Sequence, residues 1–177
     1  MRTRRSKNTI NKKTKKLCFF VIFAPSIIYC LKNMTIYKVS EVTPSLLDAI
    51  AKLLPQLSSS AQTPTAEYIT QMVKNGGTHL LVAEENKTIV GMLSLVIVNI
   101  PTGCKAWIED VVTDEAFRGR NIGGKLVEQA LVLAQSLGAR KVYLTSNPSR
   151  VAAHKLYKKC GFTTYDTTLF RFDFPKK

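Results

Sequence analysis

The residues from Glu115 to Leu126 read EAFRGRNIGGKL and carry the densest chemical signal in the chain. Gly119, Gly123 and Gly124 let the backbone turn so that successive N–H groups face one concavity. An apolar helical repeat begins at Ile122, so the positive end of a helix would open onto the same place. Arg118, Arg120 and Lys125 add full charges, and Asn121 tolerates left-handed backbone angles better than most residues. Such a loop suits a pyrophosphate; the plainer reading is a glycine-rich turn with solvated arginines. It lacks the closing Gly-Lys-Ser/Thr of a Walker loop. It also falls too late, after antiparallel-type strands, for a dinucleotide fingerprint.

Two further places could handle protons. Glu109 and Asp110 adjoin in a β-rich run, where alternation sends neighbouring side chains to opposite faces, so only one should face a cleft. Tyr157 offers a phenol that stays protonated at neutral pH, with a usual pKa of about 10. A tyrosine packed in a helix core is the alternative. His154, three residues earlier, shares its helix face. His154 and His79 read as structural or exposed. No His, Cys or carboxylate cluster has metal-ligand spacing, so no metal is expected. Trp107, Phe170, Phe172 and Phe174 read most simply as core or sheet residues.

The elements that must position these groups follow from local pattern. Thr35–Ser40 reads as a first strand. Thr43-Pro44 opens a helix with apolar residues at 46, 47, 50, 53 and 54, ended at Pro55. A second helix starts near Thr63-Pro64 and stops at Asn75-Gly76-Gly77. Thr78–Glu84 and Thr88–Val98 form a hairpin, followed by a strand over Lys105–Thr113. Ile122–Leu137 is a long helix stopped by Gly138. A strand over Lys141–Thr145 and a helix over Ser149–Cys160, with Ser149 as its cap, come next. Two strands, Thr163–Asp166 and Thr168–Phe174, close the chain. The order is βααβββαβαββ.

The formal charge of +14 is unevenly spread. Residues 1–33 hold nine Lys and Arg and no acid; residues 34–177 hold 17 basic and 12 acidic residues, a net of +5. The basic excess is largely a property of the N-terminal segment, and no nucleic-acid motif accompanies it, so no specific nucleic-acid partner is expected. Leu17–Leu31 is a 15-residue apolar run broken by Pro25, shorter than the ~20 residues that span a bilayer. Three readings stand: a signal or anchor, a dispensable extension ahead of a start at Met34, or a structured part of the fold. The strand directly after Met34 favours the second. Membrane contact is expected only if residues 1–33 are a genuine anchor. Cys18, Cys30, Cys104 and Cys160 are irregularly spaced and read as free thiols in a reducing, cytoplasmic setting.

The chain from Met34 onward resembles the GNAT superfamily of N-acetyltransferases. Arg118, Asn121 and Gly123 match that family's loop pattern Arg/Gln-x-x-Gly-x-Gly/Ala, with Asn121 replacing a glycine. Trp107–Asp114 looks like its central strand, and Ala152–Phe162 like its block A-x-x-L-Y-x-x-x-G-F. The resemblance implies an α/β (α+β) fold, a mixed sheet of about seven strands flanked by four helices, occupying residues 34–177. It implies acetyl-CoA as co-substrate, held by residues 118–125, that is Arg118, Gly119, Arg120, Asn121, Ile122, Gly123, Gly124 and Lys125. Its pantetheine arm would pair with Val111 and Val112 where the central strand splays from its neighbour, and Asn147 would touch the same arm. Arg150 would be a second phosphate contact or simply exposed. Glu109 would act as base and Tyr157 as acid toward the coenzyme sulfur. The implied activity is direct acetyl transfer to a primary amine of a small molecule or protein. A glucosamine-phosphate-type enzyme and a non-catalytic acyl-CoA sensor are the alternatives. The acceptor should sit near the first two helices and Ser94–Gly103, and a homodimer is compatible with the pattern.

Overall fold

A computed structural model describes residues 29–31 and 34–175. The apolar run from Leu17 lies outside the described residues except for its last three. Those three, β1 (Tyr29–Leu31), pair antiparallel with β2 (Met34–Lys38), so the expected boundary at residue 34 falls between two paired strands. Helix α1 (Pro44–Leu57) is capped by the Thr43 hydroxyl, which accepts from the Leu46 N–H at 3.2 Å, with proline at its first position. It does not stop at Pro55. The proline sits in the last turn, where its missing N–H removes one bond of a ladder about to end, and the helix runs on to Leu57. Helix α2 (Ala66–Lys74) starts one residue past the Thr-Pro pair, on Thr65.

Strands β3 (Thr78–Glu85), β4 (Thr88–Ile100) and β5 (Gly103–Thr113) form an antiparallel meander, and α3 (Ile122–Ser136) crosses to β6 (Val142–Leu144), parallel to β5. The sheet order is β1-β2-β3-β4-β5-β6. Helix α4 (Val151–Lys159) follows. The predicted domain thus supplies five strands rather than about seven, with β1 added from outside it. The difference lies in the tail: Thr163–Asp166 and Thr168–Phe174 are not strands, because no ladder forms along them. Their side chains are exposed, so Phe170, Phe172 and Phe174 are not core or sheet residues either.

The sheet is covered on both faces. Leu81, Ala83, Leu93, Leu95, Ala106 and Ile108 pack under α3, where Leu126, Val127, Ala130 and Ala134 are buried. Leu80, Val82, Met92 and Val112 face Leu46, Ile50, Leu53 and Ile69 of α1 and α2. Leu80 to Ala83 is therefore a continuous buried run, as a two-sided sheet requires. Helix α3 approaches closely at Gly91: a Cβ there would stand 3.0 Å from the Val112 carbonyl and 3.3 Å from both Ile122 and Leu126.

Candidate functional site

The site grows out of an irregularity in β5. Val112 pairs with Met92 and Glu109 with Ser94, so Asp110 and Val111 together oppose Leu93. This is a β-bulge, and Asp110 takes the extra residue's place with φ +54. The bulge exchanges the strand's faces. Ala106 and Ile108 lie in the α3-side core, while Val112 lies in the α1-side core, although regular alternation would put all three together. The expected opposition of Glu109 and Asp110 rested on regular alternation, which holds only along extended backbone and is interrupted at this bulge.

The bulge also sits where β5 parts from β6. Their ladder runs Ala106–Val142, Trp107–Tyr143 and Ile108–Leu144, then ends. From Glu109 to Thr113, β5 keeps β4 on one side and has no strand on the other among the described residues. Val111 and Val112 lie on this free edge, whose unpaired peptide groups suit an added extended ligand. The Glu109 carboxyl is pushed above the usual range by burial and by the neighbouring Asp110; burial pushes Asp110 up as well.

Beyond Thr113 the chain makes a short 3-10 turn (Glu115–Phe117) and then the glycine loop. Gly119 has φ +78 and Asn121 φ +57, so the backbone twice enters the left-handed region before α3 begins. Helix α3 starts with no side-chain cap, which leaves its first amides available to an anion. Gly123 and Gly124 are needed for close packing. A Cβ on Gly123 would stand 3.0 Å from Leu156 of α4, and one on Gly124 would press on the Asn121 amide. Arg118 is exposed and Lys125 half-buried. Arg120 is otherwise engaged: its guanidinium grips Glu85 at the end of β3 with both nitrogens, one at 2.7 Å, and lies 5.5 Å above the Phe117 ring. This pair pins the loop to the β3–β4 hairpin.

Four residues that sequence reasoning passed over fix the loop from behind. The Asp114 carboxylate, 2% exposed, accepts from the Ala116 N–H at 3.0 Å and pairs with Lys52 of α1 at 2.6 Å. The Lys52 ammonium holds the Asp114 carboxyl below the usual range against the opposing effect of burial. Gln56, one turn after Lys52, accepts from the Glu115 N–H at 2.9 Å. Glu85 is the fourth. The four-residue spacing of Lys52 and Gln56 was the visible signal, since it places both on one helix face.

The opposite wall is β6, the loop after it, and α4. Tyr157 sits half-buried on α4, edge-on to Phe162 at 6.0 Å between ring centroids. Burial raises its phenol pKa, Arg150 counteracts this, and Glu109 and Cys160 add to the rise. The free edge of β5 and the tyrosine of α4 therefore share one electrostatic neighbourhood. Arg150 donates to the Leu57 carbonyl at 2.8 Å, tying the start of α4 to the end of α1. Ser149 is not the helix cap; it donates to Asn147 Oδ1 at 2.8 Å, and its own N–H does so at 2.9 Å. That turn occupies the Asn147 oxygen, and α4 begins uncapped after Arg150. His154 Nε2 is buried without a partner among the described residues, and His79, in β3, has its pKa lowered by burial and by Lys38.

The sequence profile of the Acetyltransferase (GNAT) family matches residues 46–162, which spans both walls and the loop. The chain belongs to the GNAT acetyltransferase family. Over 55 residues it is 42% identical to a protein of Oryza sativa subsp. japonica named as a probable glucosamine 6-phosphate N-acetyltransferase 2, about 31% of each chain. The match thus spans about a third of that relative's length. The glucosamine-6-phosphate N-acetyltransferase of Arabidopsis thaliana superposes with a TM-score of 0.65 at 26% identity, over 80% of this chain and 99% of that one. An acetyltransferase of Clostridium acetobutylicum, solved with acetyl-CoA, shares the fold at a TM-score of 0.63 and 24% identity, over 78% and 96% of the two chains.

Proposed function

We propose that this acetyltransferase binds acetyl-CoA along the free edge of β5 and passes the acetyl group to the primary amine of a small acceptor. The observation that carries the reading is the bulge at Asp110. It lies where the β5–β6 ladder ends, exposes the peptide groups of Val111 and Val112, and puts the Glu109 carboxyl in the same electrostatic neighbourhood as Tyr157. The diphosphate would rest on the amides of Gly119 to Gly124 with Arg118 and Lys125 beside it. Arg120 contributes its backbone to that cradle while its side chain holds Glu85. Gly119 and Asn121, both in the left-handed region, turn the amides inward.

The amine must lose a proton before it attacks, and Glu109 would receive it, directly or through water. Their raised pKa values suit that task, since a base works best with a pKa nearer the working pH. Tyr157 faces the departing thiolate. Its pKa lies above the ~8.5 of a thiol, so full proton transfer to sulfur runs uphill and the phenol acts by donating a hydrogen bond. A phosphorylated amino sugar is the acceptor class favoured by the likeness to the rice and Arabidopsis proteins. The test is thiol release from acetyl-CoA by the purified chain across a panel of amino sugar phosphates, aminoglycosides, polyamines and lysine peptides. Turnover with the amino sugar phosphates is the expected result. Turnover confined to another amine class would replace the acceptor. Tight coenzyme binding with no turnover on any amine would favour the sensor.

A further inference from the structure

One face of the sheet is left open beside Glu109. Ala106 and Ile108 point into the core under α3, so Trp107 and Glu109, which alternate with them along regular strand, stand together on the opposite face. Across the ladder, Val96 lies opposite Trp107 and Ser94 opposite Glu109. Helices α1 and α2 cover this face over Leu80, Met92 and Val112. Neither Val96 nor Trp107 packs into that core, and both stay half-buried. The only tryptophan of the chain thus lies outside both cores. Its indole stacks on Tyr143 of β6, with ring centroids 5.4 Å apart and 28° between the planes, and Tyr165 meets Tyr143 edge-on at 6.0 Å. One face of Trp107 is therefore taken. The other turns away from β6, toward Val96 and the β4 side.

We propose that Trp107 selects the acceptor, by stacking the ring that carries the primary amine. The proposal rests on the acetyl-transfer reading above, with Glu109 as base, and adds to it a requirement on the acceptor's shape. Residues two apart on one strand face are ~7 Å from each other. A ring laid on the free face of the indole therefore brings an amine on its rim to the Glu109 carboxyl. Val96 supplies an apolar floor beneath that ring, and Ser94, 7% exposed, stands at the amine end. An aromatic wall with a few polar groups at one end is the usual make-up of a small-molecule site. A pyranose with equatorial substituents fits it well. Its axial C–H groups form a flat apolar face for the indole, while its hydroxyls and amine project from the rim toward polar partners. Tyr143 holds the indole plane in place before any ligand arrives, so little order is lost on binding. An open-chain amine has no such face, and it would have to freeze several rotatable bonds to lie along the indole.

Because Trp107 is the only tryptophan, its fluorescence reports the stack directly. Titrating the full chain with glucosamine 6-phosphate should change that emission saturably, whereas 1,4-diaminobutane should leave it unmoved. Trp107→Leu should raise the KM for glucosamine 6-phosphate by about tenfold, the scale of one lost aromatic contact, with kcat falling less. The KM for acetyl-CoA should not change. Trp107→Phe keeps a ring and should recover most of the loss. Emission that does not respond to glucosamine 6-phosphate overturns the proposal, whether or not the sugar is acetylated. So does a folded Trp107→Leu chain with the parent's KM, or a KM rise that 1,4-diaminobutane shares equally. If Trp107→Leu does not fold, the emission of the parent chain decides alone. A chain that acetylates no amine but whose emission saturates with the sugar would sink the acetyl-transfer reading and leave the ring on Trp107.

Discussion

The two walls of the cleft are built to different standards. The β5 wall rests on an eleven-residue strand laddered to β4, and on α3, where eight of fifteen residues are buried. Its loop is braced by Lys52, Gln56, Asp114 and the Glu85–Arg120 pair. The β6 wall is a strand of three residues followed by a helix with no fully buried side chain. Ser146 Oγ and His154 Nε2 lack partners there among the described residues. Its main ties are Arg150 to Leu57 and Leu156 against Gly123. The difference teaches that the glycine-loop end, the proposed phosphate site, is preorganised by the core, whereas the wall that carries Tyr157 is held by few buried contacts. Changes to the bracing of the first wall should therefore register as stability, and changes at Tyr157 on the second as turnover.

The largest expected effect tests the second half of that statement. Tyr157→Phe keeps the ring against Phe162 and removes only the hydroxyl. Turnover should fall by about 10²-fold, the scale of one lost donor at the reacting centre. Coenzyme affinity, by calorimetry, and melting temperature should stay with the parent. A parallel loss of affinity would make Tyr157 part of the binding scaffold and erase the contrast between the walls.

Glu109→Gln sharpens the contrast from the other side of the cleft, because it touches the chemistry of the well-built wall without touching its packing. A base with a raised pKa must be ionised to work, so the parent's rate climbs as pH rises through that raised value. The variant should lose this limb. We expect a loss of about tenfold near pH 6, shrinking toward pH 9 as free amine accumulates. The deficit should stay modest because the adjacent carboxylate, Asp110, remains. A Glu109→Gln profile that superimposes on the parent's would remove the carboxylate from the proton path.

Asp114→Asn addresses the first wall's bracing. The Asp114 pKa is lowered in the folded chain, so its contribution is present above the unfolded carboxylate value of about 4 and is lost as pH falls through the folded one. The amide keeps the shape and weakens the bond to Lys52. Chemical denaturation at pH 7 should show a loss of about 1–3 kcal/mol. The gap should close in acid, where the parent's carboxylate is protonated too. A gap that persists at pH 3 would assign the loss to packing instead of charge.

The legibility of the two walls follows the same division. Residues 115–126, with their glycines and three basic side chains, announced the loop, and the apolar repeats announced the helices above and below the sheet. These signals are local. The bulge was not legible, because IEDVV reads as regular alternation and only the register against β4 forces the extra residue. The fate of Arg120 was not legible for a similar reason: Glu85 lies 35 residues away, and which arginine it would claim is decided by the fold. The tail misled in the opposite sense. Its pattern is strand-like, but a strand requires a neighbour to pair with, and none pairs with the tail among the described residues. Pattern alone fixes what a segment can do, and pairing fixes whether it does it.

The smallest expected effect bears on the one departure from the family's loop pattern. Asn121 stands at φ +57, ψ +27, where glycine is at ease and most residues are strained. Its side chain caps nothing in α3 and instead lies over Gly124, filling the slot where a Cβ would otherwise be. Asn121→Gly should relieve the backbone and increase the freedom of the unfolded chain, two effects of opposite sign, leaving stability within about 1 kcal/mol of the parent. Coenzyme affinity should stay within about twofold, because the contacts proposed for the diphosphate are backbone amides. Asn121→Ala is the informative companion. It removes the same amide but keeps a Cβ in the left-handed region, which should cost about 1–2 kcal/mol of stability. If both variants lose coenzyme affinity tenfold, the Asn121 side chain is itself a ligand and the loop works by more than its backbone. If only the alanine variant weakens, conformation alone explains the position, and the asparagine serves where relatives carry glycine because it tolerates the same turn.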